Sequence, residues 1–171
     1  MGYVRCSSFQ LLFGDGNLHE VMRKLASCDG LIVDVRSNGG GLLTAAEKLA
    51  SLFVNEPITG AYICHKTGTG HNDFSAPQPI TIEPIVGFRW QKPMAVLTHR
   101  RTYSAAELPN GWSVRFSACP MFTRDMQQTE LGIEPNVKVD IAPADYAQGI
   151  DTIIETARRL LKEKTLLNYN K

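Results

Sequence analysis

The sequence is poor in the residues that carry disulfide and metal chemistry. Its 171 residues include only four cysteines, and these lie far apart with no Cys-x-x-Cys pair: Cys6, Cys28, Cys64 and Cys119. Such a count and spacing exclude a dense disulfide framework and provide no zinc motif. The first three lie in apolar stretches, where we expect small buried hydrophobic residues. We therefore expect no metal and no other cofactor.

Long apolar runs and a charge imbalance are absent as well. No apolar run approaches the roughly 20 residues that span a bilayer, and the first five residues lead into strand-like sequence, not into a cleavable secretion signal. The net charge is +1, and the chain has no basic stripe or interleaved aromatics, so nothing predicts nucleic-acid binding. Without a leader, we expect either a cytoplasmic protein or a mature or truncated piece of a longer one.

What the sequence does contain is an alternation of strand and helix patterns. The first fifty residues predict a strand at 2–9, a helix at 18–28, a continuous apolar strand at 31–35 and a helix that begins at Thr44. Asn17 and Glu20 are spaced as a capping box for the first helix. A short apolar run between two helices is typical of a parallel strand buried on both faces. The order predicts an α/β domain.

The rest of the chain continues this pattern less regularly. It predicts strands at 61–65, 80–86, 93–98 and 112–119, an extended segment at 132–142 and a last helix at 147–163. Strand 93–98 is the second apolar run suited to a buried parallel strand. We expect one core over residues 1–165 and a flexible tail at 166–171.

Two loops follow the two buried parallel strands, at the sheet edge where open α/β sheets bind ligands. The first is Asn38-Gly39-Gly40-Gly41, whose glycines allow a sharp turn with exposed amides. Amides that begin a helix suit an oxyanion or a phosphate. No Gly-Lys-Ser/Thr follows, so this is not a phosphate loop. A tight strand-to-helix turn without any ligand explains the glycines equally well.

The second loop contains Ser104, flanked by Tyr103 and by the small residues Ala105 and Ala106. A nucleophilic serine needs a strand end and small neighbours that let a substrate approach. By itself Ser-Ala-Ala is a common string. Together, the two loops could supply a hydroxyl and the amides that hold a tetrahedral oxyanion.

Four segments resemble the tail-specific, carboxy-terminal processing serine peptidases, in the family's order. Residues 31–53 resemble its Asp-Leu-Arg-Asn-Asn-Gly-Gly-Gly segment, 92–107 its nucleophile segment, and 108–122 and 131–157 its later strand and its Gly-Ile/Val-Glu-Pro-Asp element. The resemblance implies a ClpP/crotonase-like spiral core with a mixed, largely parallel sheet and flanking helices. It implies Ser104 as nucleophile, Ala105 with Gly40 or Gly41 as oxyanion donors, a peptide or protein substrate, and a periplasmic or extracytoplasmic location.

The chain departs from the family directly after Glu107. The long helix, the strand and the glycine-rich loop that follow the serine in relatives, the last often with a lysine base, are absent near residues 107 and 108. A helix from Ser104 would meet Pro109 after one turn, which proline disfavours. In related branches a histidine replaces the lysine, so His99 is a candidate base. Glu107 could orient a base or cap the turn.

Three interpretations remain open at this point. The chain is a peptidase that forms an acyl-enzyme on Ser104, a non-catalytic module that binds peptide tails, or a fragment that has lost an internal segment. All three depend on one expectation: that the glycine turn and the serine turn face each other across adjacent strand ends.

Overall fold

The computed structural model describes residues 1–10, 14–99, 106–107, 113–114, 119–129 and 132–169. Its strands are β1 (Gly2–Arg5), β2 (Leu31–Asp34), β3 (Ile58–Ile63), β4 (Gln78–Ile82), β5 (Met94–Leu97), β6 (Ala106–Glu107), β7 (Ser113–Val114) and β8 (Met121–Thr123). Its helices are α1 (Asp15–Leu25), α2 (Leu43–Ala50), α3 (Pro143–Ala147) and α4 (Thr152–Tyr169), and a 3-10 turn at Ser51–Phe53 follows α2.

A three-stranded parallel sheet lies at the centre of the core, in the order β1-β2-β5. All four residues of β2 are buried, as a strand with a neighbour on each edge and a covered surface on each face requires. Ile32 pairs with Tyr3 on one side and with Ala95 on the other. The predicted mixed α/β fold with parallel strands is therefore confirmed.

Each face of this sheet carries its own apolar cluster, because successive strand residues point to opposite faces. Leu31 and Val33 pack with residues of α1, the 3-10 turn and Trp90: Leu18, Met22, Leu52 and Trp90. On the other face, Ile32 and Leu97 pack against Ala157 and Leu161 of α4. The long C-terminal helix thus covers one face, and α1 with the 3-10 turn covers the other.

A second sheet is antiparallel, in the order β4-β3-β8. The loop between β3 and β4 is closed by Lys66, whose ammonium donates hydrogen bonds to the carbonyl oxygens of Gly70 and His71 and lies 4.4 Å from the centre of the Phe74 ring. Within the described part of the chain, no helix is both long and apolar enough to cross a membrane.

The predicted helix starts were wrong by one to three residues. Helix α1 begins at Asp15, after an extended Gly14 whose carbonyl accepts the amides of Asn17 and Leu18. Asn17 is therefore already inside the first turn, and no side chain caps this end, so the capping box does not form. Helix α2 begins at Leu43, one residue before Thr44, again without a side-chain cap.

The C-terminal helix also differs from its prediction at 147–163. Helix α3 ends at Ala147, and Gly149 follows with a φ of 71°, a left-handed conformation that favours glycine and interrupts the helix. Helix α4 then runs to Tyr169, so the backbone is helical well into the segment 166–171.

Ala106 and Glu107, which come after Ser104 in the sequence, form strand β6 and not a helix. Ala106 pairs with Val114 and Glu107 with Ser113, in an antiparallel arrangement. This agrees with the expectation that Pro109 prevents a helix in this segment. Of the strand predicted at 112–119, Ser113 and Val114 are extended, whereas residues 112 and 115–118 lie outside the described residues.

The packing of α4 against the sheet can be tested with two adjacent leucines. Leu161 is 2% exposed within the apolar cluster, whereas Leu160 is only half-buried. We expect Leu161→Ala to lower the free energy of unfolding by about 2–5 kcal/mol, because it leaves a cavity beneath the helix. Leu160→Ala is the matched control and should cost less than half as much. Equal losses in urea denaturation would contradict this packing.

Candidate active site

The two candidate loops leave the sheet from the same edge. Strands β2 and β5 are parallel neighbours, and the register pairs Asp34 with Leu97 at their carboxyl ends. The amide of Val35 continues the ladder by donating to the carbonyl of Leu97, at 3.0 Å. The expected adjacency of the strand ends is present. Ser104 and Ala105 themselves lie outside the described residues.

A buried carboxylate lies at the end of β2. Asp34 is 3% exposed, and the Arg36 guanidinium binds both of its oxygens: Nε donates to Oδ1 at 3.0 Å and Nη2 to Oδ2 at 2.7 Å. The Arg36 amide also donates to Oδ1, at 3.0 Å. From β1, the Tyr3 hydroxyl donates to Oδ2 at 2.7 Å. Four donors therefore satisfy a carboxylate that is almost completely removed from water.

Arg36 also reaches the start of α4. Its Nη1 lies 2.8 Å from Asp151 Oδ2. The Asp151 carboxylate in turn accepts the amides of Ile153 and Ile154, at 3.0 and 3.1 Å, and so caps the helix. One guanidinium thus connects the end of the central strand to the first turn of the helix that covers one face of the sheet.

These contacts shift the protonation equilibria of the group. Burial by itself would raise the pKa of Asp34, but the hydrogen bonds from Arg36 and Tyr3 outweigh it and bring the pKa to about 2. The hydrogen bond to Asp34 raises the pKa of Arg36, and it likewise raises the pKa of the Tyr3 hydroxyl. Asp34 therefore remains ionised at any pH near neutrality.

The glycine turn is held by a second buried polar side chain. Asn38 is 1% exposed. Its Oδ1 accepts the amide of Gly40 at 2.8 Å, and its Nδ2 donates to the carbonyl of Cys6 at 3.1 Å. The side chain therefore joins the turn to the chain that leaves β1.

Gly41 requires glycine for two independent reasons. Its φ of 141° lies in a region that other residues rarely adopt, and a Cβ there would overlap the carbonyl group of Phe9. Phe9 donates its amide to the Gly40 carbonyl at 2.9 Å and accepts the Leu42 amide at 2.7 Å. The Gly41 amide itself makes no hydrogen bond to any residue that the structure describes. Gly40 also has a positive φ, of 90°.

Of the remaining candidates, His99 follows β5 at this edge, whereas Glu107 lies in the separate two-stranded sheet of β6 and β7. His99 is exposed and lies two residues beyond the end of β5. The backbone of Glu107 belongs to β6. In the described ranges, no group of three or more His, Cys, Asp or Glu side chains could hold a metal ion.

Sequence reasoning placed Asn38 in the candidate loop but assigned no role to its side chain, nor to those of Tyr3, Asp34, Arg36 and Asp151. A signal existed for two of them, because a charged residue inside a continuous buried apolar run needs a partner, and Arg36 is only two positions from Asp34. Asp151 lies on a different element, more than a hundred residues away, and nothing local indicates that contact.

Comparison with known proteins gives consistent matches. The model of peptidase family S41 matches residues 1–108. A crystal structure of a candidate peptidase from Parabacteroides merdae is 39% identical, with a TM-score of 0.79, over 93% of this chain and 60% of that one. A candidate Tricorn-like protease C-terminal subunit from Sulfurisphaera tokodaii is 29% identical over 80% of this chain and 18% of its own length.

A photosystem II D1 C-terminal processing protease shares the fold at lower similarity. Its TM-score is 0.53 at 19% identity, over 85% of this chain and 44% of that one. The chain therefore spans less than two thirds of the length of each of these relatives.

The Asp34 cluster predicts a specific acid sensitivity. A lowered carboxyl pKa means that the stabilisation is complete above the ordinary value of 3.8 and is lost as the pH falls towards about 2. We expect about 2 kcal/mol of unfolding free energy to disappear over that window, measured by urea denaturation at each pH. Asp34→Asn should remove this component. Tyr3→Phe deletes one donor and leaves the pKa of Asp34 closer to its ordinary value. The loss of unfolding free energy should then be smaller and should be complete at a higher pH. An unchanged acid limb in Asp34→Asn would contradict the assignment.

The glycine turn predicts a contrast between two neighbouring positions. Gly41→Ala should lower the free energy of unfolding by about 3 kcal/mol or more, since it combines a disfavoured φ with an overlap on the Phe9 backbone. At Gly39 an added Cβ meets nothing within 4 Å, so Gly39→Ala should stay within about 1 kcal/mol of the parent. Thermal and urea unfolding of the two variants measures this contrast. Equal losses of stability would contradict the geometry of the turn.

Proposed function

This chain belongs to peptidase family S41, and we propose that it hydrolyses peptide bonds as a serine-type enzyme through an acyl-enzyme intermediate on Ser104. One observation carries the proposal: β2 and β5 are parallel neighbours, so the glycine turn and the serine loop both begin at the same edge of the sheet. Ligand sites in α/β sheets lie at such edges.

In the proposed reaction the Ser104 oxygen forms a bond to the carbonyl carbon of the scissile peptide. A base takes the hydroxyl proton and returns it to the amine, which leaves as the carbon–nitrogen bond breaks. Water then attacks the serine ester, releases the carboxylic acid and restores the hydroxyl. The reaction needs no cofactor.

The tetrahedral intermediate carries a negative charge that backbone amides can hold. We assign this role to the amide of Ala105 together with that of Gly40 or Gly41. The support concerns the glycine turn, which leads into α2, so that the positive end of the dipole of this eight-residue helix lies next to the amides of Gly40 and Gly41.

For the base we propose His99, with Glu107 as a residue that could orient it. A neutral imidazole accepts a proton near pH 7, and His99 follows β5 at the edge in question. As substrates we propose the carboxy-terminal regions of proteins, in view of the family resemblance and of the name of the D1 processing protease. The same resemblance supports a periplasmic or extracytoplasmic location.

A fluorophosphonate probe tests the proposed nucleophile. The probe phosphonylates an activated serine and expels fluoride, so we expect one adduct on Ser104, located by mass spectrometry of the digested protein. Ser104→Ala should take up none, and Ser113→Ala, at a serine in β7, should label like the parent. The absence of labelling from pH 5 to pH 9 in a folded protein would contradict the proposal and favour a non-catalytic module that binds peptide tails.

A further inference from the structure

We propose that Asn38 is a positioning residue for the reaction, and that it makes the amide of Gly41, not that of Gly40, the oxyanion donor of the glycine turn. The inference rests on the proposed function and goes beyond it, because it chooses between the two amides and assigns a role to a side chain that does not touch the substrate.

The Gly40 amide is already engaged. It donates to Asn38 Oδ1 at 2.8 Å, and the acceptor belongs to a side chain that is 1% exposed. To bind an oxyanion, this amide would have to leave a buried acceptor without a donor, which costs free energy that a new hydrogen bond has to offset. Gly40 therefore gives shape to the turn and is a poor donor to a substrate.

The Gly41 amide is in the opposite situation. Gly41 is exposed, and its amide makes no hydrogen bond to the described part of the chain. The bridge to Phe9 uses the carbonyl of Gly40 and the amide of Leu42, and so holds the chain on both sides of Gly41. The result is an amide that is held in position and has no partner among the described residues, as a preorganised oxyanion donor requires.

The chemistry of asparagine explains why this residue suits the position. Its carboxamide offers an acceptor and a donor at once, and both are used: the acceptor towards Gly40 within the turn and the donor towards the Cys6 carbonyl after β1. The first contact sets the curvature of the turn, and the second attaches it to the sheet. A serine is a neutral replacement that keeps an acceptor near the Gly40 amide and removes the donor to Cys6, whereas an aspartate would turn a buried carboxylate oxygen towards the Cys6 carbonyl.

The experiment measures how fast fluorophosphonate reacts with Ser104 in wild type and in Asn38→Ala, with the binding constant and the maximal inactivation rate separated by titration of the probe. We expect the maximal rate to fall by about 10²-fold, with the binding constant within about threefold of wild type, because the displaced amide acts on the charge that develops on the phosphoryl oxygen in the pentacoordinate transition state. Asn38→Ser should show a smaller fall. Hydrogen exchange of the Gly40 amide should accelerate in Asn38→Ala.

Ser51→Ala is the matched control. It removes another buried polar side chain with a hydrogen bond to a carbonyl, in this case that of Lys48 at 2.6 Å, at the far end of α2 from the glycine turn. It should lose stability and retain the wild-type rate of labelling per folded molecule. If Asn38→Ala does not fold, the neutral variant Asn38→Ser decides by the same measurement.

Three outcomes would overturn the inference, and they are distinguishable. Wild-type rates in folded Asn38 variants would overturn it while leaving the nucleophile in place. Equal rate losses in Ser51→Ala would assign the effect to stability alone. A wild type that takes up no probe would remove the proposed function itself, and this inference with it.

Discussion

The ion pair between Asp34 and Arg36 is the interaction on which the rest of this structure depends. A charge at the end of a strand that is buried on both faces is costly unless it is paired and fully hydrogen-bonded. Here the guanidinium binds both carboxylate oxygens, Tyr3 supplies a further donor, and the spare nitrogen of Arg36 reaches Asp151. The cluster brings together β1, β2 and α4, three elements that are distant in the sequence.

This arrangement has a consequence for the edge of the sheet. Arg36 is the second residue beyond β2, so the same contacts that satisfy Asp34 determine where the following turn begins. Asn38 then holds the turn from its inner side, and Phe9 holds it from the segment that follows β1. Contacts to Asp151 before α4 and to Cys6 and Phe9 after β1 thus guide the chain from the buried strand to Gly41. The chain at Gly41 is held by the hydrogen bonds that Gly40 and Leu42 make to Phe9 on either side of it.

The three glycines of the turn have different roles, which the structure separates and the composition does not. From the sequence, three consecutive glycines indicated a sharp turn but ranked none above another. In the structure their roles separate: Gly39 has open space around it, Gly40 donates to Asn38, and Gly41 lies against the Phe9 backbone. The separation arises because Gly40 and Gly41 face different neighbours, the buried side chain of Asn38 and the backbone of Phe9, whereas Gly39 faces none within 4 Å.

The sequence by itself determined the architecture and the position of the candidate loops. The apolar runs at Leu31–Asp34 and Met94–Leu97 both form parallel strands, and glycine and proline mark where the chain turns. Only the first is the fully buried central strand; the second lies at the side of the described three-stranded sheet, with Val96 53% exposed. The resemblance to the tail-specific peptidases indicated the family from four short segments. Helix starts were less accurate, because Gly14 and Leu42 can adopt the extended conformation that begins a helix without any side-chain cap.

Only the tertiary structure decided which polar groups meet. The contact of Arg36 with Asp151 spans 115 positions, and that of Asn38 with Cys6 spans 32, so no local pattern could reveal either one. Propensity and periodicity act over one or two turns of chain, whereas these pairs depend on how a helix is seated on a sheet. The elements follow from local physics, and the partners of the buried charges follow from packing.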